Sequence, residues 1–162
     1  MKVSARAAFE VARPIEAVFD LATACEGFQL FLFPFGPLPG VAGSRMIDVP
    51  EPVTGGKRDV ALTDGSTVHE ILLAFDRPSR HRYRWLEPPA PPFSWVVKGG
   101  EADWAFSATP GGTHVAWHYE FELTSPLAIV LAPPLLWLFR GWMQRGLERL
   151  PTALANAAHP AA

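Results

Sequence analysis

The sequence predicts an α+β fold in which a curved antiparallel sheet of about seven strands wraps around a long C-terminal helix, with two short helices after strand one. Three patterns predict it. The first residues alternate in polarity, similar segments separated by turn sequences fill the middle of the chain, and the C-terminal part repeats apolar residues at helical spacing. Because a sheet with one apolar face must be covered, one helix laid across it is the economical arrangement for 162 residues.

The N-terminal elements are a strand and two short helices. Residues 3–12 place an apolar side chain at nearly every second position, which is the period of a half-buried strand. Pro14 suits the first turn of the helix that follows, and we expect Gly27 to end that helix. Residues 28–35 are predicted to form a second short apolar helix or turn, before a loop rich in Pro and Gly over residues 34–43.

Six further strands are predicted from about Arg45 onward. Turn sequences occur at residues 53–56, 64–65, 76–79, 88–92 and 110–112. The last strand has the clearest pattern, with Val115, Trp117, Tyr119, Phe121 and Leu123 alternating with polar or small residues. Short strands separated by turn sequences at these intervals are typical of an antiparallel meander.

The C-terminal helix is predicted to begin near Ser125-Pro126 and to continue to about Leu154. Pro133-Pro134 and Pro151 are expected to kink or restart it, because proline cannot continue the backbone hydrogen bonding. One helix rarely fills the hollow of a curved sheet. The sequence therefore predicts an apolar cavity between sheet and helix, the usual form of a small-molecule site.

Composition excludes several classes of protein. The chain has 14 basic and 16 acidic residues, so binding of nucleic acid through its phosphates is not expected. Cys25 is the only cysteine, which excludes an internal disulfide and a multi-cysteine zinc site. No cofactor is expected. The length suits a single domain over residues 1–162.

The sequence also carries expectations about location and partners. The N-terminus has no apolar run typical of a secretory signal, so we expect a cytoplasmic protein. The most apolar stretch, residues 127–139, is too short to span a bilayer, and membrane contact is not expected. The oligomeric state stays open, with a homodimer as one option.

Arg58 and Glu70 flank the turn at Asp64-Gly65. A two-residue turn would place Asp59 opposite Glu70, whereas a three-residue turn with Gly65 in the left-handed region would place Arg58 there. We favour the three-residue turn. Both charges then share a mostly apolar face, where a paired charge is tolerated and an isolated one is costly. The pair either orients a polar group of a ligand or bridges two strands structurally.

Aromatic residues in the predicted strands and the last helix suit a pocket for a flat or apolar ligand. About half of them are expected to form ordinary core instead. The candidate pocket residues are Tyr83, Trp85, Trp104, Phe106, Trp117, Tyr119 and Trp142.

Histidines and arginines give weaker signals. His114 and His118 lie four apart on a strand, about 13 Å from each other, so a metal site is not expected. His69 is either a structural histidine or, if its face is inward, a proton carrier. Arg80, Arg82 and Arg84 share one strand face, which we interpret as the solvated exterior of the sheet, with a weak anion site as the alternative.

The order of these features resembles the polyketide cyclase/dehydrase-like branch of the START-related helix-grip superfamily, abbreviated SRPBCC. The resemblance covers nearly the whole chain. It rests on the strand and helix of residues 8–19, on Gly55-Gly56-Lys57-Arg58, Asp64-Gly65, Glu70, Asp76 and Tyr83, on residues 112–117, and on Met143, Leu147 and Leu150. It implies a helix-grip fold with a hydrophobic ligand cavity. The Pro-rich C-terminal helix and the loop 31–40 depart from the family pattern, and we interpret the loop as a gate.

Three functions follow from these expectations. The leading hypothesis is binding of a hydrophobic small molecule between the sheet and the C-terminal helix. The alternative is a cyclase or dehydratase in which Arg58 orients an oxygen, Glu70 moves a proton and a tyrosine assists. A third is a protein- or membrane-surface module that uses the loop 31–40 and residues 137–142.

Overall fold

A computed structural model gives the structure of residues 1–159. Seven strands form one antiparallel sheet in the order β1-β7-β6-β5-β4-β3-β2. The strands are β1 (Lys2–Val11), β2 (Val41–Met46), β3 (Lys57–Leu62), β4 (Thr67–Asp76), β5 (Arg80–Trp85), β6 (Val97–Thr109) and β7 (Gly112–Leu123). The helices are α1 (Ile15–Thr23), α2 (Ala132–Glu148) and α3 (Leu150–Ala158). This is the predicted α+β helix-grip fold.

Two short helical segments after β1 carry the chain to the far edge of the sheet. Helix α1 begins directly after Pro14 and buries Val18, Phe19 and Ala22. The second segment is only a 3-10 turn, Phe28–Leu30. Of the helix or turn predicted over residues 28–35, the structure has the turn, and it ends at Leu30. Prolines cannot continue a helix, and residues 31–40 form a loop instead, so that β2 starts earlier than expected, at Val41.

Prolines divide the C-terminal helical region as predicted. A separate 3-10 helix spans Pro126–Val130, α2 has Pro133 and Pro134 in its first turn, and α3 has Pro151 in its first turn. Proline is tolerated at these positions because the first N–H groups of a helix have no intrahelical partner.

The core lies where α1 and α2 meet the inner face of β6 and β7. Trp104 and Trp117 stack with their ring centroids 4.2 Å apart, and Phe19 of α1 packs edge-on against Phe106 at 5.1 Å. Helix α2 lies over the β1 edge, where Gln144 donates a hydrogen bond of 3.2 Å to the Ala8 carbonyl. The other half of the sheet, β3 to β5, is left with space above it.

Candidate ligand cavity

A cavity of about 470 Å³ lies between α2 and the strands β3, β4 and β5. This volume is in the range of about 300–1,000 Å³ that small-molecule sites occupy. Its wall is mostly apolar and includes Leu32, Leu38, Val60, Leu62, Val68, Phe93, Leu135, Leu138 and Phe139. Exposed lining residues mark its mouth: Pro37, Asp64, Trp95, Leu131 and Pro134.

Arg58 and Glu70 face this cavity from adjacent strands. The two residues are direct partners in the β3–β4 ladder. The register follows from a three-residue turn, which closes with a hydrogen bond of 2.8 Å from the Leu62 N–H to the Ser66 carbonyl. Gly65 has φ +87°, the left-handed conformation that glycine adopts without steric cost. The register predicted from the sequence is confirmed.

The ion pair is buried. Arg58 is 0% exposed and Glu70 is 5% exposed. Arg58 donates from Nε at 3.0 Å and from Nη2 at 2.6 Å, and both hydrogen bonds end on Oε2 of Glu70. Within residues 1–159, Oε1 of Glu70 accepts no hydrogen bond. The pair therefore satisfies the arginine and leaves one carboxylate oxygen available.

Aromatic rings hold the Arg58 guanidinium in place. Its central carbon lies 4.6 Å from the centroid of Phe28 and 5.0 Å from that of Tyr83. Cation–π contacts of this kind are stronger when they are desolvated. Arg58 is thus held between two aromatic rings and the carboxylate of Glu70.

His81 is the polar residue of the site that the sequence pattern did not single out. It is 0% exposed, and its Nε2 lies 3.4 Å from Nη1 of Arg58. Burial, together with the positive charge of Arg58, holds the pKa of His81 well below its ordinary value of 6.5. Because arginine only donates, Nε2 is the acceptor and the neutral ring carries its proton on Nδ1. The sequence did contain one signal for it: His81 is two positions before Tyr83 on the same strand, so both side chains share the inner face.

Burial also shifts the pKa values of the acidic groups that line the cavity. Loss of solvent raises the pKa of Glu70, against the opposing effect of Arg58. Burial raises the pKa of Tyr83 and Tyr119 as well, with the charge of Glu70 adding to both shifts. The two phenols therefore stay protonated near neutral pH and are hydrogen-bond donors, not anions.

Four of the seven predicted pocket aromatics line the cavity: Tyr83, Trp85, Tyr119 and Trp142. Trp85 donates from Nε1 to Oη of Tyr119 at 2.8 Å. Its ring lies against β6 at Gly100, where a Cβ would come within 2.9 Å of the indole. A glycine at that position lets the ring lie close to the strand.

The other three predicted pocket aromatics do not line the cavity. Trp104, Phe106 and Trp117 are at most 4% exposed and form the packed core under α1 and α2. They share the inner face of the sheet with the lining residues, but they lie under the helices. The sequence pattern missed Phe28, Phe93 and Phe139, because they come from a 3-10 turn, a Pro-rich segment and α2.

The basic run on β5 lies on the outside, as predicted. Arg80 donates to both carboxylate oxygens of Asp103, at 3.1 and 2.7 Å, and Arg82 pairs with Glu101. These partners stand on the adjacent strand β6 and neutralise the arginines.

His69, whose face the sequence left open, and His114, predicted on the outer face, both have carboxylate partners. Nδ1 of His69 lies 2.5 Å from Asp59, and Nδ1 of His114 lies 2.6 Å from Glu10. His69 therefore points away from the cavity. Within residues 1–159, no three His, Cys, Asp or Glu side chains are grouped so that they could hold a metal ion.

The sequence matches the family described as polyketide cyclase / dehydrase and lipid transport over residues 2–155. The chain belongs to this family. No curated protein is significantly similar to it in sequence. Membership in the polyketide cyclase / dehydrase family agrees with the SRPBCC resemblance of the sequence.

Solved structures with the same fold cover nearly the whole chain. TTHA0849 from Thermus thermophilus is 20% identical with a TM-score of 0.72, covering 96% of this chain and 99% of that one. Ara h 8.0201 is 15% identical with a TM-score of 0.69, at 96% and 99% coverage. The di-domain ARO/CYC StfQ of the steffimycin biosynthetic pathway is 15% identical with a TM-score of 0.69, covering 98% of this chain and 52% of that one. At these identities the likeness establishes the fold.

Proposed function

We propose that the cavity binds a hydrophobic small molecule that carries one neutral polar group. The observation that supports this most directly is an apolar cavity of about 470 Å³ whose buried charges are already paired with each other. The family description, which includes lipid transport, agrees with an apolar ligand. Burial of apolar surface supplies the affinity, and the few polar groups orient the ligand.

A neutral polar group suits the wall better than an anion does. Among the lining residues that the structure describes, Arg58 is the one basic side chain, and it is already paired with Glu70. A carboxylate ligand would have to approach Glu70 without a free cation. A hydroxyl group can donate to Oε1 of Glu70, and Nε1 of Trp142, which has no hydrogen-bond partner within residues 1–159, can donate to the ligand.

A pair of variants on β4 tests the binding site. Val68 points into the cavity, whereas Ile71 stands on the opposite face of the same strand, opposite Lys57 and Arg84. We expect Val68→Trp to weaken binding of the neutral apolar probe N-phenyl-1-naphthylamine about tenfold or more, because the indole fills ligand space. Ile71→Trp should leave the affinity unchanged. Equal affinities in both variants and the wild type would show that the probe binds elsewhere.

The ligand itself can be identified by native mass spectrometry of the purified protein. We expect a bound mass that corresponds to a neutral hydroxylated or carbonyl-containing apolar molecule in the wild type and in Ile71→Trp, and its loss in Val68→Trp. An anionic lipid bound in the wild type would contradict the neutral-ligand proposal.

A second candidate function is catalysis by Glu70 on a polyketide-like carbonyl substrate. The raised pKa of Glu70, with the protonated phenols of Tyr83 and Tyr119 on the same wall, favours it, because a proton carrier works best when its pKa approaches the working pH. Arg58 then positions Glu70 and does not contact the substrate. Glu70→Gln should abolish turnover of an identified substrate while probe binding persists. Unchanged turnover would exclude catalysis by Glu70.

A further inference from the structure

Three uncharged segments border the mouth of the cavity. They are residues 27–44, 88–97 and 123–139, and all 14 basic and 16 acidic residues of the chain fall outside them. Each contributes to the cavity wall, through Leu38, Phe93 and Leu135 respectively. Segments that are far apart in sequence thus form one uncharged border around one opening.

Direct contacts join the three segments. Thr124 donates from its hydroxyl to the Trp95 carbonyl at 3.0 Å and from its N–H to the Val96 carbonyl at 3.0 Å. The loop 31–40 packs on the third segment, because a Cβ at Gly36 would lie 3.9 Å from Cδ2 of Leu138. These contacts join the loop 31–40 of the first segment to the other two segments, and we call this surface the mouth rim (residues 31–40, 88–97 and 123–139).

Large apolar side chains of the mouth rim are exposed to solvent. Leu127 is 83% exposed, Val130 74%, Trp95 72% and Trp137 71%. Leu131, at 56%, continues from this surface into the cavity wall. Single exposed apolar residues are ordinary, but several of them on segments that border one opening mark an interaction site.

We propose that the mouth rim docks on the surface of a neutral lipid bilayer, from which an apolar molecule enters the cavity. A rim without charge offers nothing to complement a charged partner, and it suits zwitterionic headgroups and acyl chains. Tryptophan favours the boundary between headgroups and hydrocarbon, where Trp95 and Trp137 would lie. An apolar ligand would then pass from lipid to cavity without crossing water, whereas a protein partner seated on the rim would cover the opening.

The docking is peripheral. Among the helices of residues 1–159, none combines the length and apolarity needed to cross a bilayer. Arg140 follows the last uncharged segment, and the Arg149 guanidinium lies 4.7 Å from the centroid of the Phe33 ring, so two basic residues adjoin the rim. The turn at Asp64 adds one exposed acidic residue beside the loop 31–40, where the Thr63 N–H donates to the Gly40 carbonyl at 3.0 Å. The apolar contact is therefore made mainly by α2 and the Pro-rich segment.

Flotation with phosphatidylcholine vesicles tests the proposal. We expect the full-length wild type to float with the vesicles, and added salt to leave the bound fraction unchanged, because the contact is apolar. Leu127→Glu and Trp137→Glu should each lower the partition coefficient about tenfold, since each removes a buried apolar side chain from the contact. Ile47→Glu is the matched control. It is 54% exposed at the opposite end of β2 and β3 from the mouth and should partition like the wild type.

Other outcomes would overturn the proposal. A wild type that does not float with phosphatidylcholine, or rim variants that bind as well as the wild type, exclude docking through this surface. A wild-type dimer in sedimentation velocity that Trp137→Glu converts to a monomer would assign the rim to a second copy of the chain. The substituted side chains are mostly exposed, and an unchanged melting temperature verifies that the variants fold.

Entry of a molecule from the bilayer into the cavity rests on the proposed function, whereas docking itself does not require the cavity to be a ligand site. Val68→Trp should still float with ligand-free vesicles even though it loses probe binding. If the proposed function is wrong, Val68→Trp binds the probe as the wild type does. If docking is wrong, the wild type does not float with the vesicles.

Discussion

At the scale of single residues, the site depends on a buried charge pair that stabilises the fold only while both members are present. Arg58 and Glu70 are both removed from solvent, and taking an ion out of water costs several kcal/mol. Their hydrogen bonds of 2.6 and 3.0 Å offset that cost. Removing one partner leaves the other charge without compensation.

We expect Arg58→Met to lower the free energy of unfolding by about 3–5 kcal/mol at pH 7, because Glu70 is then left as an unpaired buried carboxylate. The double variant Arg58→Met with Glu70→Leu should recover most of this loss. Urea unfolding of the wild type, both single variants and the double variant measures the coupling. A double variant whose loss equals the sum of the single losses would show that the two side chains do not act as a pair.

At the scale of elements, the contact between the loop 31–40 and α2 determines one side of the cavity. Glycine within a helix costs about 1 kcal/mol relative to alanine, so Gly141 needs a compensating role. The Phe35 ring supplies it by packing where a Cβ would be. The loop that the sequence suggested as a gate is therefore packed on α2 through this aromatic contact, and also through Leu32, which lies where a Cβ at Gly146 would be.

We predict that Gly141→Ala raises the free energy of unfolding by about 1 kcal/mol in a Phe35→Ala background, where only helix propensity changes. In the wild-type background the same substitution should give less stabilisation or a loss, because the new methyl group displaces the ring. Thermal or urea unfolding of the four proteins gives the difference. Equal effects in both backgrounds would show that Phe35 does not pack on Gly141 in solution.

At the scale of the whole molecule, stability depends on pH through groups whose pKa values folding changes. The folded pKa of His81 is lowered, so the unfolded chain binds a proton that the folded protein excludes. With respect to His81, the folded protein is therefore most stable above the ordinary histidine pKa of 6.5. It loses stability as the pH falls below that value, because only the unfolded chain takes up the proton. The raised pKa of Glu70 acts in the opposite direction, because the folded state then holds its proton more readily.

We expect the wild type to lose stability relative to His81→Phe as the pH falls from 7 to 5, by up to about 1.4 kcal/mol per pH unit. Comparing the two proteins cancels the effect of Glu70 to first order. His159→Gln, which changes an exposed histidine, should follow the wild-type curve. Parallel curves for the wild type and His81→Phe would show that His81 titrates normally in the folded state.

The packing of the whole molecule also decided which aromatic residues form the site, and this could not be predicted from the sequence. Alternation identified the inner face of β5 and β7, but it could not separate Tyr83 and Tyr119, which line the cavity, from Trp117, which is core. Both kinds of residue share one face of the sheet. The path of α2 separates them, because it packs on the β1 side and leaves β3 to β5 uncovered.

The sequence by itself predicted most strands and the turns between them, and it favoured the register in which Arg58 lies opposite Glu70. These features are local: a period of two sets the face of each side chain, and the turn at Gly65 sets the register. Only the tertiary structure decided that His81 contacts Arg58 and that three distant uncharged segments border one opening. Such contacts join strands and loops that are far apart in the chain, and their positions depend on how the helix crosses the curved sheet, which residue periodicity does not encode.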